Sequence, residues 1–385
     1  MNKKWIVRIL AAAALLAVFL VIYRPFIKPD MSDFGVCYKA GQRVQLRETL
    51  YRASDGHLQY KYAPAASLFY DPFAFFSWET AKFLWFLFMV LTLAALVALS
   101  YKIIPLPKKR AWVLMSLAVA ITAKYLGREF ELGQVNILII LLLTVMSALF
   151  LAKKDIPAGI VWALSLLFKP YALVFLPYFA LKKRFKVLAS GFVSILVGLL
   201  LPALVYGLRG NWAVLKEWIS SLSQSTPGLF TVGDNASLFA FVLKLFHGLW
   251  SPAAIGVLSL ATLAVGIGFL LMIYRPKAAD LRTAEVTELA FLFVLIPLFS
   301  PLGWYYNYLY GFLAVMILLN RLGEFSAGLK WTVIVNFCII GGTLREVLGK
   351  TLFRYYTHHS LVSLNFLVTL ALLVVLQVSR NRRAS

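Results

Sequence analysis

The chain reads as an all-α protein, a polytopic transmembrane helical bundle of about twelve spans with interfacial helices on its outer face. Three observations predict this. Of 385 residues, 61% are apolar and 14% charged, whereas soluble domains carry about 25% charged residues. Apolar runs of about 20 residues, long enough to cross a hydrocarbon core, recur from end to end. Lipid offers the backbone no hydrogen-bond partner, so such runs must be helical. No long soluble segment is left over, and residues 1–385 are expected to form one integral membrane domain.

The spans are placed at 5–27, 76–100, 111–126, 133–152, 156–168, 170–181, 187–206, 252–274, 286–299, 303–320, 330–344 and 360–379. Asn2-Lys3-Lys4 and Arg8 precede an apolar core that runs to Ile27 with no small-residue cleavage site after it, so the first reads as an uncleaved span. The fifth and sixth are short and meet at Lys169-Pro170, as tilted half-spans or a broken helix would. Cys37 and Cys338, the only cysteines, form neither a disulfide framework nor a metal site.

Charge orients the bundle. An even span count puts both termini on one side, and that side holds 21 of the 38 Lys and Arg but 5 of the 16 acids. It includes Lys108-Lys109-Arg110, Lys182-Lys183-Arg184 and Arg380, so the termini are expected inside. The outer side mixes both signs. Attraction to anionic lipid heads, at about 1 kcal/mol per basic residue, explains part of this. A site for an anionic leaving group explains it more sharply. Membrane lipids are the expected surroundings, and no nucleic-acid partner is expected.

Asp33 follows the first span on the outer side, at the depth of a lipid-linked head group. It is the leading candidate for chemistry, and its structural alternative is a cap on the helix that follows. In the outer loop 28–75, Val36, Ala40 and Val44 fall at helical spacing opposite Lys39, Arg43 and Arg47, as in an interfacial helix. Tyr60-Lys61-Tyr62-Ala63-Pro64 and Tyr70-Asp71-Pro72 then predict an extended re-entry. In the outer loop 207–250, Trp212, Leu215, Ile219 and Leu222 predict a second interfacial helix. Asn235-Ala236-Ser237 behind it matches a glycosylation acceptor, a weak pattern.

Several polar groups lie where a membrane is costly for them. Gln134 and Asn136 open an apolar helix just after Arg128, Glu129 and Glu131. Such groups are usually paired or functional; the structural alternative is interhelical hydrogen bonding, at about 0.6 kcal/mol each. Lys169 cannot snorkel past a whole helix and must face the outer cavity, either to meet a phosphate or to pair with Glu129 or Glu131. Ser300-Pro301-Leu302-Gly303-Trp304 breaks the ninth span from the tenth; Tyr305 and Tyr308 fit an aromatic belt and Asn307 a polar head group. Arg345, Glu346, Arg354 and His358-His359 occupy the last outer loop, where adjacent histidines cannot share one metal from a helix. No metal site is expected.

In order along the chain, Asp33 and Tyr38, Tyr62-Ala63-Pro64, Gly133-Gln134-Val135-Asn136, Ala158-Gly159, Lys169-Pro170, Lys183-Arg184-Phe185-Lys186, Asn235-Ala236-Ser237-Leu238 and Ser300-Pro301-Leu302-Gly303-Trp304 resemble glycosyltransferase family 87. This family of GT-C-type membrane enzymes includes polyprenol-phosphate-mannose-dependent mannosyltransferases. The resemblance implies inverting transfer from a polyprenyl-phosphate sugar to a glycolipid or glycan acceptor, with no cofactor beyond that donor. It implies that Asp33 is the general base and that Lys169, Arg128 and Lys61 are cations for the phosphate. Tyr38, Tyr62, Glu129, Gln134, Asn136, Asn235, Ser237, Trp304, Tyr306, Asn307 and Arg345 complete the expected substrate-binding set. The implied location is a bacterial inner or plasma membrane, with cytoplasmic termini and a periplasmic or extracellular site. One departure stands out: the family's mannosyltransferases often carry histidines where this chain has Tyr306 and Asn307. The sugar, a hexose such as mannose or a pentose, stays open.

Two other classes compete. A transporter or flippase of lipid-linked saccharides would explain the short spans around Lys169-Pro170, yet the chain has no clear internal repeat. An outer-face polysaccharide polymerase or ligase would explain the basic loops but not Gly133-Gln134-Val135-Asn136. A purely structural subunit leaves the outer charges without purpose.

Overall fold

The computed structural model describes residues 31–225, 229–230, 232–274 and 281–383. The expected span 5–27 lies outside them. The described residues are helical, with no strand among them.

Two helices precede the first long one. α1 (Ser32–Gln45) buries Ala40 and Val44 of the expected apolar stripe and exposes Lys39 opposite them, but Val36 and Arg43 are both half-buried, and Phe34, Cys37 and Gly41 join the buried face. α2 (Pro64–Ala74) stands where the prolines predict an extended re-entry, which corrects that expectation. Pro64 occupies the first turn, where its missing N–H costs nothing, and Pro72 lies in the last turn, where its ring removes a single bond.

α3 (Trp78–Ile103), α11 (Pro252–Tyr274) and α16 (Val362–Arg383) contain stretches long and apolar enough to cross a membrane. Between them run α4 (Ala111–Leu132), α5 (Asn136–Leu151), α6 (Asp155–Phe168), α7 (Phe175–Leu181), α8 (Phe185–Leu200) and α9 (Ala203–Ser225). α10 (Leu238–Leu245) precedes α11. After α11 come α12 (Leu281–Phe299), α13 (Phe312–Asn320), α14 (Ala327–Gly342) and α15 (Arg345–His358). The chain turns by 93° between α8 and α9 and again between α14 and α15. On α9, Trp212 and Ile219 point away from the protein, 62% and 64% exposed.

α12 and α13 are buried on nearly every side and form the centre of the bundle. α6 and α8 pack closely through glycines. A methyl group at Gly159 would stand 2.1 Å from Ser190 Oγ and 2.3 Å from the Val187 carbonyl. Small residues at such a crossing let two backbones meet where apolar burial gives no driving force.

The basic cluster after α7 is anchored at one end of this packing. Lys182 pairs with the buried Glu288 at 2.7 Å, and Tyr178 donates to the same carboxylate at 2.9 Å. Arg184 pairs with Asp155 at 2.5 Å and donates to the Phe150 carbonyl at the carboxyl end of α5. The amino end of α5 leads to a second polar cluster.

Candidate functional site

α1 is fixed at its first turn. Met31 adopts a left-handed conformation (φ 56°), and its N–H donates to the Glu131 carbonyl at 2.9 Å. Gly133 closes α4 at φ 66°, and a Cβ there would lie 2.7 Å from Phe34 Cβ, so conformation and space both require glycine. Trp85 donates to the Gly133 carbonyl at 2.9 Å and stacks on Phe34 with ring centroids 4.9 Å apart. The turn after α4 is thereby pressed onto the first turn of α1, which brings Gln134 to Asp33.

Met31 holds the cap position of α1 and its side chain makes no capping bond, while Asp33 lies in the first turn. The Asp33 carboxylate accepts a hydrogen bond from Gln134 Nε2. Gln134 Oε1 accepts from Lys169 Nζ at 3.1 Å. A cation at the oxygen and a carboxylate at the nitrogen fix which way the amide faces. Asn136 mirrors this arrangement. Its Oδ1 accepts from Lys169 at 2.9 Å, and its Nδ2 donates to Glu129 Oε1 at 2.6 Å and to Asn307 Oδ1 at 3.2 Å. One ammonium thus stands between two amides, and each amide ends on a carboxylate.

Local chain geometry puts Lys169 there. Pro170 disfavours a helical residue before it, and Lys169 is extended (φ −145°, ψ 133°), so the ammonium leaves α6 sideways. It is buried, with the rings of Tyr62 and Tyr171 at 5.4 and 5.5 Å. It forms no direct ion pair with Glu129 or Glu131. Asn136 mediates toward Glu129, and Glu131 pairs with Arg128 at 2.8 Å. The second oxygen of the buried Glu129 has no hydrogen-bond partner among the described residues.

Of the expected site residues, Asp33, Tyr62, Glu129, Gln134, Asn136, Lys169, Tyr306 and Asn307 meet in this cluster. Tyr62 donates to Gln134 Oε1 at 3.4 Å, and Tyr306 accepts from Gln134 Nε2 at 3.2 Å. Lys61 is half-buried nearby; desolvation lowers the pKa of its ammonium, and Asp33 opposes that shift. Arg128, Arg345 and Tyr306 line an adjoining cavity of about 720 Å³.

The others lie elsewhere. Tyr38 donates to the Phe76 carbonyl at 2.8 Å and packs on Trp78, holding α1 to the start of α3. Asn235 is fully buried, and its amide donates to the carbonyls of Leu229, Phe230 and Pro301. Ser237 caps α10 through a bond from the Ala240 N–H at 3.1 Å. These polar groups are spent on a latch, an antiparallel bridge between Asn235 and Trp304, and not on the cavity. The same burial removes Asn235 as a glycosylation acceptor in the folded chain. At Trp304 the backbone makes the latch. Lys124 enters the cavity wall with no motif to announce it. Its one mark in the sequence is that it is the sole charge between Arg110 and Arg128.

A helical chain with membrane-capable helices and a buried carboxylate–amide–ammonium cluster defines an integral membrane protein with a built polar site. The family model of glycosyltransferase family 87 matches residues 60–301, and the chain belongs to that family. It is a membrane glycosyltransferase. The matched region includes Gln134, Asn136 and Lys169, while Asp33 precedes it and Tyr306 follows it. No curated protein matches the chain.

Proposed function

We propose that the protein transfers a sugar from a polyprenyl-phosphate donor to a hydroxyl of a glycolipid or glycan acceptor, with inversion, at the outer face of the membrane. The observation that carries this reading is the Asp33 carboxylate, oriented by Gln134, which is itself oriented by Lys169. Asp33 takes the proton of the acceptor hydroxyl as its oxygen attacks the anomeric carbon. The bond from that carbon to the phosphate oxygen breaks, and the phosphate leaves with the electron pair. Both acceptors of the Lys169 ammonium are amides of the cluster, so this lysine holds the base in place. Residues 1–385 act as one GT-C-type unit of about twelve spans. α9 and α15 lie along the interface, and the termini face the cytoplasm of a bacterial cell.

The extended break at Lys169 between α6 and the helical segment beginning at Pro170 favours a second reading, a carrier of lipid-linked saccharides, since broken helices mark transporter sites. Purified protein in liposomes, given a polyprenyl-phosphate sugar and a lipid extract as acceptor, separates the two. The proposal expects labelled sugar on a new product. Donor moved intact to the opposite leaflet, with no product, favours the carrier.

A further inference from the structure

The cavity beside the cluster has a feature that the holding of Asp33 does not use. Lys124 projects into it from α4 and donates to Thr343 Oγ1. The rings of Tyr125, Tyr305 and Tyr356 surround its ammonium at 5.0, 5.0 and 5.5 Å. Among the described residues no carboxylate forms an ion pair with it, whereas Arg128 on the same wall is matched by Glu131 at 2.8 Å. Aromatic faces stabilise a cation but supply no counter-charge. An ammonium has three donors, and one hydroxyl occupies one of them. A lysine on an otherwise apolar helix stretch, without an acid, is costly unless something brings a negative charge to it.

We propose that Lys124 is the centre of a binding site for a phosphate group, walled by tyrosines and assisted by Arg128 and Arg345, in a cavity whose wall also carries Glu131, Asp234 and Glu346. The proposal rests on the glycosyl-transfer reading, because Tyr306 lines this cavity and also accepts from the Gln134 amide that holds Asp33. An anion seated there lies beside the reacting centre, and the donor's phosphate is the anion which that reaction requires. When the sugar leaves, a phosphodiester with one negative charge becomes a monoester that carries a second. A compact ammonium facing the phosphate oxygens favours that change more than it favours the donor.

The test measures binding of sugar-free polyprenyl monophosphate to the purified full chain in detergent. Lys124→Met and Lys124→Gln are expected to weaken binding about tenfold or more, the loss typical of a hydrogen bond to a charged group. Asp33→Asn should bind at least as tightly as the wild type, since it removes a negative charge beside the anion, and this separates the site from the base. Thermal melting checks that each variant is folded, and Lys124→Gln, which keeps a polar side chain, serves if Lys124→Met is not. Wild-type binding by both Lys124 variants would overturn the proposal while leaving Asp33 as the base. Equal binding of the unphosphorylated polyprenol would also overturn it. Inorganic phosphate binding as tightly as polyprenyl monophosphate would assign the site to free phosphate and overturn a lipid head group.

Discussion

Asp33→Asn is expected to lower the turnover of sugar transfer by about 10²- to 10⁴-fold, the usual contribution of a positioned general base. The substitution is nearly isosteric, and the fold should tolerate it. Gln134 Nε2 donates to this side chain, so an asparagine there would turn its carbonyl toward Gln134 and its NH₂ toward the acceptor. An NH₂ group cannot take the hydroxyl proton. The Michaelis constant for the donor should change little, because Asp33 acts on the acceptor. Steady-state kinetics on purified protein checks this, with thermal melting as a control. Turnover within a few-fold of the wild type would remove Asp33 from the chemistry.

Lys169→Met is expected to harm both the site and the fold. It leaves the side-chain oxygens of Gln134 and Asn136 without their cationic donor at 3.1 and 2.9 Å, inside a buried cluster. Only long bonds from Tyr62 at 3.4 Å and Tyr310 at 3.5 Å would then remain to these two oxygens; a buried acceptor left unpaired costs roughly 1–3 kcal/mol, so a clear drop in melting temperature is expected. Gln134 also loses the contact that sets its orientation, and Asp33 loses its held position. Turnover should therefore fall at least tenfold further than the stability change alone would require, with the donor's Michaelis constant little moved. Adding Gln134→Leu to Lys169→Met should cost less than the two single effects combined, since both act through Asp33. Additive losses would mean that Lys169 supports the fold alone.

The sequence discloses the long apolar helices because lipid leaves an apolar run no other structure; the segment 252–274 is placed as expected. It also discloses the break at Lys169, since proline acts on the residue before it. The 93° bends are less legible, because apolar content continues through α8 into α9. α2 is not legible because prolines usually break helices, although the first and last turns tolerate them. Within the site, Gln134, Asn136 and Lys169 are conspicuous as polar groups in apolar surroundings. Asn235 and Ser237 are equally conspicuous, but their partners are carbonyl and N–H groups of the latch, which no local pattern reveals. Lys124 shows the opposite failure. It is a lone lysine on an apolar helix with no motif around it until Tyr305, Thr343 and Tyr356 arrive from distant segments.

The proposed reaction is a single displacement at the anomeric carbon with Asp33 as base. The anomeric configuration of the first-formed product, read by NMR after transfer from a donor of known configuration, tests it most directly. Inversion is the predicted result. Retention would contradict it, because retention requires a second displacement and a nucleophile that one base held by Gln134 does not provide.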